Sequence, residues 1–478
     1  MCTMHERVTL TSVFACTFGL FSLTHGAFTA NAMKNFCYFT NWSPSLANFD
    51  ARFDVRDINA TLCSHLIYAF ANIDPLELKL IKSETGDDNG SLTNKQGRYF
   101  EFNKLKIKHP ELVTLLSIGG ENGKGFYQIV ANEASMTTFA RNVAIYLRDR
   151  DFDGIDIDWE WPMELYRKKF TTLLEVFRQE FDAESLRESK PKLLITIAVA
   201  VGEDTISKSY DIPQISRLVD YIQVMAYDFH GTWSKVTSFS GPLNSRLSDI
   251  RFNQQLSQQW AIDRWISGGA AREKLVMGIT GTATTFTLEN VTNAGVGAPV
   301  KGPGKVGPYL GKEGHVSYYR VCEMIRKGAV YKFDDEQKMA YALLEDQWVG
   351  YANPESTKAK VQFAHSRQLA GTMFWSLEVD DFLGKYCNDG EFPLLTSIYN
   401  TIQELAETSG INVTIRSKPI TQSTTPVNFR LHHYTSPNGI NFYVMRSGCS
   451  FIGGHERCSL YTTIILTGLI NYLRVKFV

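Results

Sequence analysis

Eight short apolar runs separated by longer amphipathic segments restrict the fold more than any other feature of this chain. They fall at 35–40, 65–73, 113–120, 154–161, 192–200, 221–229, 274–280 and 371–377. Between most of them the apolar residues recur at helical spacing, as over 136–150 and 166–181. Strands that alternate with helices predict a parallel sheet covered by helices, an α/β fold. The count of eight predicts a closed (β/α)8 TIM barrel over 33–407. An open doubly wound sheet is the competing arrangement, but no Gly-rich phosphate loop follows the first run. The spacing breaks between the seventh and eighth runs. The segment 286–348 is too long for one crossover helix and is rich in glycine, which predicts an inserted α+β subdomain forming one wall of a cleft.

Within the fourth run, 152–162 alternates apolar residues with acids. Side chains on a strand point to opposite faces with a period of two. Asp156, Asp158 and Glu160 therefore share one face, and Ile155, Ile157 and Trp159 share the other. Asp153 is out of phase, at the start of the strand. A column of like charges costs several kcal/mol to bury unless some carboxyls take up protons or find donors. Crowding splits their proton affinities, which suits acid–base catalysis. A solvated edge strand would not carry the continuous Ile/Ile/Trp face, and a calcium loop would need its glycine and bidentate Glu at other spacings.

In a barrel, Glu160 then lies at the C-terminal rim, with Asp158 and Asp156 progressively deeper. The sixth run ends in Met225, Ala226, Tyr227, Asp228, Phe229 and His230, so that Met225 and Tyr227 share a face and Tyr227 offers a hydroxyl at the rim. An inward Trp375 at the end of the eighth run would make a flat apolar floor of the kind on which the C–H faces of sugars stack, and Trp42 and Trp233 could extend it. Taken singly, such an aromatic is more often core than ligand contact; their shared position just beyond strand ends favours the cleft.

Formal net charge is -1, from 49 basic and 50 acidic side chains, and no basic block gives a reason to expect a nucleic-acid partner. At the N-terminus His5, Glu6 and Arg7 precede an apolar run over 8–23, with small residues at Gly26, Ala27, Ala30 and Ala32. That pattern predicts a secretory signal over 1–32 and a secreted, extracellular protein. Its removal takes away Cys2 and Cys16 and leaves an even set of cysteines, as disulfides in an exported chain require. Asn59, Asn89, Asn290 and Asn412 lie in glycosylation acceptor triplets; Asn41 does too, but sits too near the expected cleft to be a good acceptor. A Ser/Thr-rich linker is expected over 408–427. The tail, 428–478, holds Cys449 and Cys458 and could be a small binding module. Its apolar stretch at 460–473 is short for a membrane span. Membrane attachment is not expected, the chain is expected to be a monomer, and no metal or cofactor is expected.

Residues 153–160 match the D-x-x-D-x-D-x-E signature of glycoside hydrolase family 18, the chitinases. The resemblance extends to 35–43, 62–72, the S-x-G-G motif at Ser117–Gly120, the M-x-Y-D motif at Met225–Asp228 and the Trp-bearing segment 371–382, and so covers about residues 33–405. The insertion also resembles the subdomain of animal-type chitinases. The resemblance implies an endo-acting, substrate-assisted, retaining hydrolase of chitin or chitooligosaccharides, in which the sugar's own 2-acetamido group replaces a protein nucleophile. It implies that Glu160 is the general acid and base, that Asp158 orients the acetamido group, that Asp156 holds Asp158, and that Tyr227 bonds the acetamido carbonyl. It implies a substrate-binding set of Trp375, Trp42, Tyr38, Phe70, Gly120, Met225, Asp228 and Trp233, and disulfides Cys37–Cys63 and Cys322–Cys387, with Cys449–Cys458 the leftover pair. Family members that bind glycan without cutting it usually lose the acid at the position of Glu160; this chain keeps it. Two departures stand out. Glu121 occupies a position where the family commonly has Trp, and Thr284 one where it commonly has Arg.

Overall fold

The computed structural model describes residues 33–88, 96–121, 123–305 and 313–408, and five short strands of the tail. Eight parallel strands close on themselves: β1 (Lys34–Thr40), β2 (His65–Asp74), β3 (Val113–Gly120), β4 (Gly154–Trp159), β5 (Leu194–Val199), β6 (Tyr221–Val224), β7 (Leu275–Thr280) and β8 (Gly371–Trp375). Each pairs with the next, and β1 pairs with both β2 and β8, so the barrel has no open edge of its own. The expected (β/α)8 architecture is therefore observed.

These strands are buried on both faces, which is why they read as nearly continuous apolar runs. Outward side chains such as Phe39, Leu116, Ile155, Ile157, Ile197 and Phe374 form one large core with the helices. Inward side chains, Phe36, Tyr38, Ile67, Leu115, Val276 and Met373, fill the barrel's interior. The covering helices carry their apolar residues at three- and four-residue spacing. In Glu133–Asp149 they are Met136, Phe139, Ala140, Val143, Ala144 and Leu147. Its start is fixed by Asn132, whose side chain accepts from the Ser135 N–H, and Pro354–Ser366 is capped in the same way by Asn353.

The first crossover departs from the helical pattern of most others, and two strand ends are corrected. The first crossover holds no α-helix: four 3-10 turns, Ser43–Ser45, Phe49–Ala51, Val55–Asp57 and Ala60–Leu62, carry the chain from β1 to β2. Pro44 and the side-chain caps from Asn48, Asp54 and Asn59 favour these tight turns over a continuous helix. The sixth strand ends at Val224 rather than Phe229, because the chain folds back on itself through Ala226 N–H to Val224 O and Tyr227 N–H to Met225 O. The fourth ends at Trp159, one residue before Glu160.

The insertion is a mainly antiparallel sheet that runs from strand Thr282–Leu288 to strand Gln347–Tyr351, with helix Tyr318–Arg326 beside it, and so starts earlier and ends later than 286–348. Its own core contains Phe286, Leu288, Val300, Met339 and Trp348, joined by Phe239 from the segment after β6. Disulfides Cys37–Cys63 and Cys322–Cys387 are formed. The C-terminal unit, 416–478, contains a three-stranded antiparallel sheet of Arg430–Thr435, Asn441–Arg446 and Thr462–Ile464, and a ribbon of Phe451–Ile452 with His455–Glu456. The expected signal, most of the linker, Asn89, Asn412, Cys449 and Cys458 lie outside the described residues. Among the described residues no helix is long and apolar enough to cross a membrane, and no group of three or more His, Cys, Asp or Glu side chains is placed to hold a metal ion.

Candidate active site

The acid column lies where period two puts it. Along β4, Asp156 is fully buried, Asp158 is 4% exposed, and Glu160 stands half-buried just beyond the strand's last residue. Register explains what surrounds Asp156. It lies opposite Ser117 of β3 and Thr196 of β5. Its Oδ2 accepts from the Tyr38 hydroxyl at 2.8 Å and the Ser117 hydroxyl at 2.7 Å. Its Oδ1 accepts from the Thr196 hydroxyl at 2.5 Å and the Gln223 side-chain amide at 2.9 Å. Burial raises the proton affinity of Asp156, and these four donors oppose that rise by favouring the charged form.

Asp158 has no such cage. Burial first, then the charges of Glu160 and Asp156, hold its carboxyl well above the usual range. Its buried Oδ1 has no hydrogen-bond partner. A buried carboxyl oxygen without a partner is costly, and the cost falls when an incoming N–H supplies one. Glu160 is pushed up to about 7, by burial first and then by the charges of Glu121 and Asp228. The site thus sets Glu160, poised to hold a proton near neutral pH, and Asp158, whose proton affinity burial and like charges raise, above a third acid that is fully solvated by protein donors.

Close backbone approach shapes this corner. Gly119 of β3 lies opposite Asp158 with φ +115, and a Cβ there would stand 1.8 Å from the Asp158 carbonyl oxygen, so no other residue fits. A Cβ on Gly120 would press on the Phe70 ring at 3.0 Å. Peptide bonds Ala69–Phe70 within β2, Glu160–Trp161 beyond β4 and Trp375–Ser376 at the end of β8 are cis; the sequence carries no signal for them.

The aromatic residues gather on one side. Trp375 contacts Tyr38 with ring centroids 5.2 Å apart, Trp42 at 6.4 Å and Phe70 at 6.2 Å, and Trp42 stacks on Phe70 at 6.1 Å. Trp375 ends β8, Trp42 follows β1 and Phe70 lies within β2, three adjacent strands, and together they form a continuous apolar wall. Tyr227 is buried and donates towards the Met373 sulfur at 3.9 Å, while Met225 packs beside it inside the barrel. Asp228 is exposed at a left-handed backbone position, φ 56, and its side chain accepts from the Ser240 hydroxyl at 2.9 Å. Trp233 does not join the wall. It is 61% exposed, its ring lies over Gly231, and it has no ring partner among the described residues.

Glu121 is exposed immediately beyond β3, one residue past the Gly120–Trp159 pairing, which brings it beside Glu160. Thr284 is buried in the inserted sheet, paired with His315 and Gly350. Asn41 is buried, and its side-chain nitrogen donates to Phe70 O, Ser83 Oγ and Asp87 Oδ2, so it has no free amide for a glycan; Asn290 is exposed. Reading the sequence did not single out Thr196 and Gln223. Each is the lone strongly polar side chain on an apolar strand, Leu194–Val199 and Tyr221–Val224, and that was the available signal.

Comparison with known proteins agrees with this geometry. The family model "Glycosyl hydrolases family 18" matches residues 34–380. The chain is 35% identical to human chitinase-3-like protein 2 (Homo sapiens) over 379 residues, 78% of this chain and 94% of that protein. It is 33% identical to mouse chitotriosidase-1 (Mus musculus) over 385 residues, 79% of this chain and 80% of that protein. Its fold superposes with a TM-score of 0.73 on human YKL-39, described as a pseudo-chitinase with retained chitooligosaccharide binding, at 35% identity over 78% of this chain and 100% of that one. With the signature acids, the closed barrel and the inserted sheet all in place, the chain belongs to glycosyl hydrolases family 18.

Proposed function

We propose that this protein is a secreted, endo-acting chitinase that hydrolyses β-1,4-linked N-acetylglucosamine polymers with retention of configuration. The observation that carries the reading is Glu160: a rim carboxyl held at about 7 beside a buried acid, Asp158, whose Oδ1 has no partner. Protonated Glu160 donates to the bridging oxygen as the bond to the leaving sugar breaks. The acetamido oxygen of the retained sugar closes onto its anomeric carbon, and its N–H donates to Asp158. The developing positive charge is met by Asp158 and, one layer deeper, by Asp156 with its four fixed donors. Tyr227 bonds the acetamido carbonyl, and Trp375 supports the sugar's apolar face. Glu160, now ionised, then takes a proton from the attacking water. Tyr38, Phe70, Gly120, Met225, Trp42 and Asp228 line the cleft, and exposed Trp233 meets a more distant sugar.

A second reading, a lectin that binds chitooligosaccharide without cutting it, draws support from the pseudo-chitinase among the similar structures. Incubation with chitooligosaccharides, followed by NMR of the anomers first formed, decides between them. Release of the β-anomer from internal bonds is expected. Binding without turnover would establish the lectin, and release of the α-anomer would refute substrate assistance.

A further inference from the structure

The mouth of the barrel is divided by chemistry. Strands β8, β1 and β2 contribute the aromatic wall of Trp375, Trp42 and Phe70. The acids occupy the other side: Glu121 beyond β3, Asp158 and Glu160 on and beyond β4, and Asp228 beyond β6. Glu121 and Asp228 are both exposed, and among the described residues neither forms an ion pair. The charges that act most strongly on Glu160 and on Asp158 are carboxylates. Two exposed carboxylates at this mouth, without an ion-pair partner among the described residues, attract a cation.

Resting on the reading above, we propose that Glu121 is a specificity residue that favours a free amino sugar, a glucosamine unit with its 2-ammonium group, as the leaving sugar next to the scissile bond. Two constraints divide the labour. The retained sugar must keep its acetyl group, since that group closes onto the anomeric carbon, and it lies over Asp158 and the Trp375 floor. The leaving sugar receives the proton of Glu160, so it lies on the acid side, beside Glu121. The substrate class is therefore partially deacetylated chitin, cut between an acetylated unit and a following deacetylated one.

The test compares the wild-type protein with Glu121→Gln and Glu121→Lys on partially deacetylated chitin and on fully acetylated chitotetraose, with the new chain ends identified by NMR. In wild type the new non-reducing ends are expected to be enriched in glucosamine above the polymer's composition. The ratio of kcat/KM for the deacetylated over the acetylated substrate should fall about two- to fivefold in Glu121→Gln, the size of an exposed ion pair, and further in Glu121→Lys. Added salt should lower the same ratio in wild type. New ends that follow the polymer's composition, or variants that slow both substrates equally, overturn the proposal. If wild type cleaves neither substrate, the chitinase reading fails, while calorimetric binding still reads Glu121: a preference for glucosamine-bearing oligomers that disappears in Glu121→Gln sustains the specificity, and equal binding by wild type refutes it.

Discussion

Glu160 owes its raised proton affinity to half-burial and to two like charges, those of Glu121 and Asp228. In the proposed mechanism its acid form protonates the leaving sugar, so kcat/KM should be high below about pH 7 and fall as pH rises through that value. Removing a like charge eases ionisation, so Glu121→Gln should move the alkaline limb to lower pH; an unmoved limb would show that the two carboxyls are not coupled. Glu160→Gln keeps the shape and lacks the proton, and should cut turnover by roughly 10²–10⁴ or more while oligosaccharide binding, measured by calorimetry, survives. Gln223→Leu leaves the buried Asp156 Oδ1 with Thr196 as its one remaining donor. A loss of stability of about 1–3 kcal/mol in urea unfolding is expected, together with slower turnover. The acid column was legible because period two admits one reading of Asp156, Asp158 and Glu160. Thr196 and Gln223 were not, because a single polar side chain on an apolar strand looks the same whether it serves a buried acid or not. Trp233 follows the sixth strand much as the other aromatics follow theirs, but the turn at Gly231 turns it towards solvent.

At the scale of the element, the site depends on where strands stop. Glu160 stands clear of strand pairing because β4 ends at Trp159, and Tyr227 is aimed inward by a reversal after Val224 rather than by strand pleat. The interior of β3 tolerates no side chain at Gly119. Gly119→Ala combines a left-handed backbone with a collision against the Asp158 carbonyl, so it should lower thermal stability by more than about 1–3 kcal/mol and abolish turnover together. A variant that melts normally would show that the two strands do not meet as described. The strands were legible to within a few residues because burial on both faces makes them uniformly apolar. The 3-10 turns of the first crossover carry no such signal, since Pro44 and short polar caps also suit a helix start.

At the scale of the whole molecule, covalent ties hold the barrel's additions. Cys322 of helix Tyr318–Arg326 joins Cys387 beyond β8, closing a loop of 65 residues between the insertion and the barrel. Replacing both cysteines with serine should cost about 2–5 kcal/mol, seen as a lower melting temperature. The barrel's own closure is noncovalent and long-range: Lys34–Cys37 of β1 pair with Gly371–Phe374 of β8, and the Thr372 hydroxyl donates to the Asn35 side chain across 337 residues of sequence. A ribosome must therefore synthesise nearly the whole barrel before its first strand can meet its last partner. Until then both ladder edges of the nascent sheet stand open, a state that invites aggregation and that chaperones recognise.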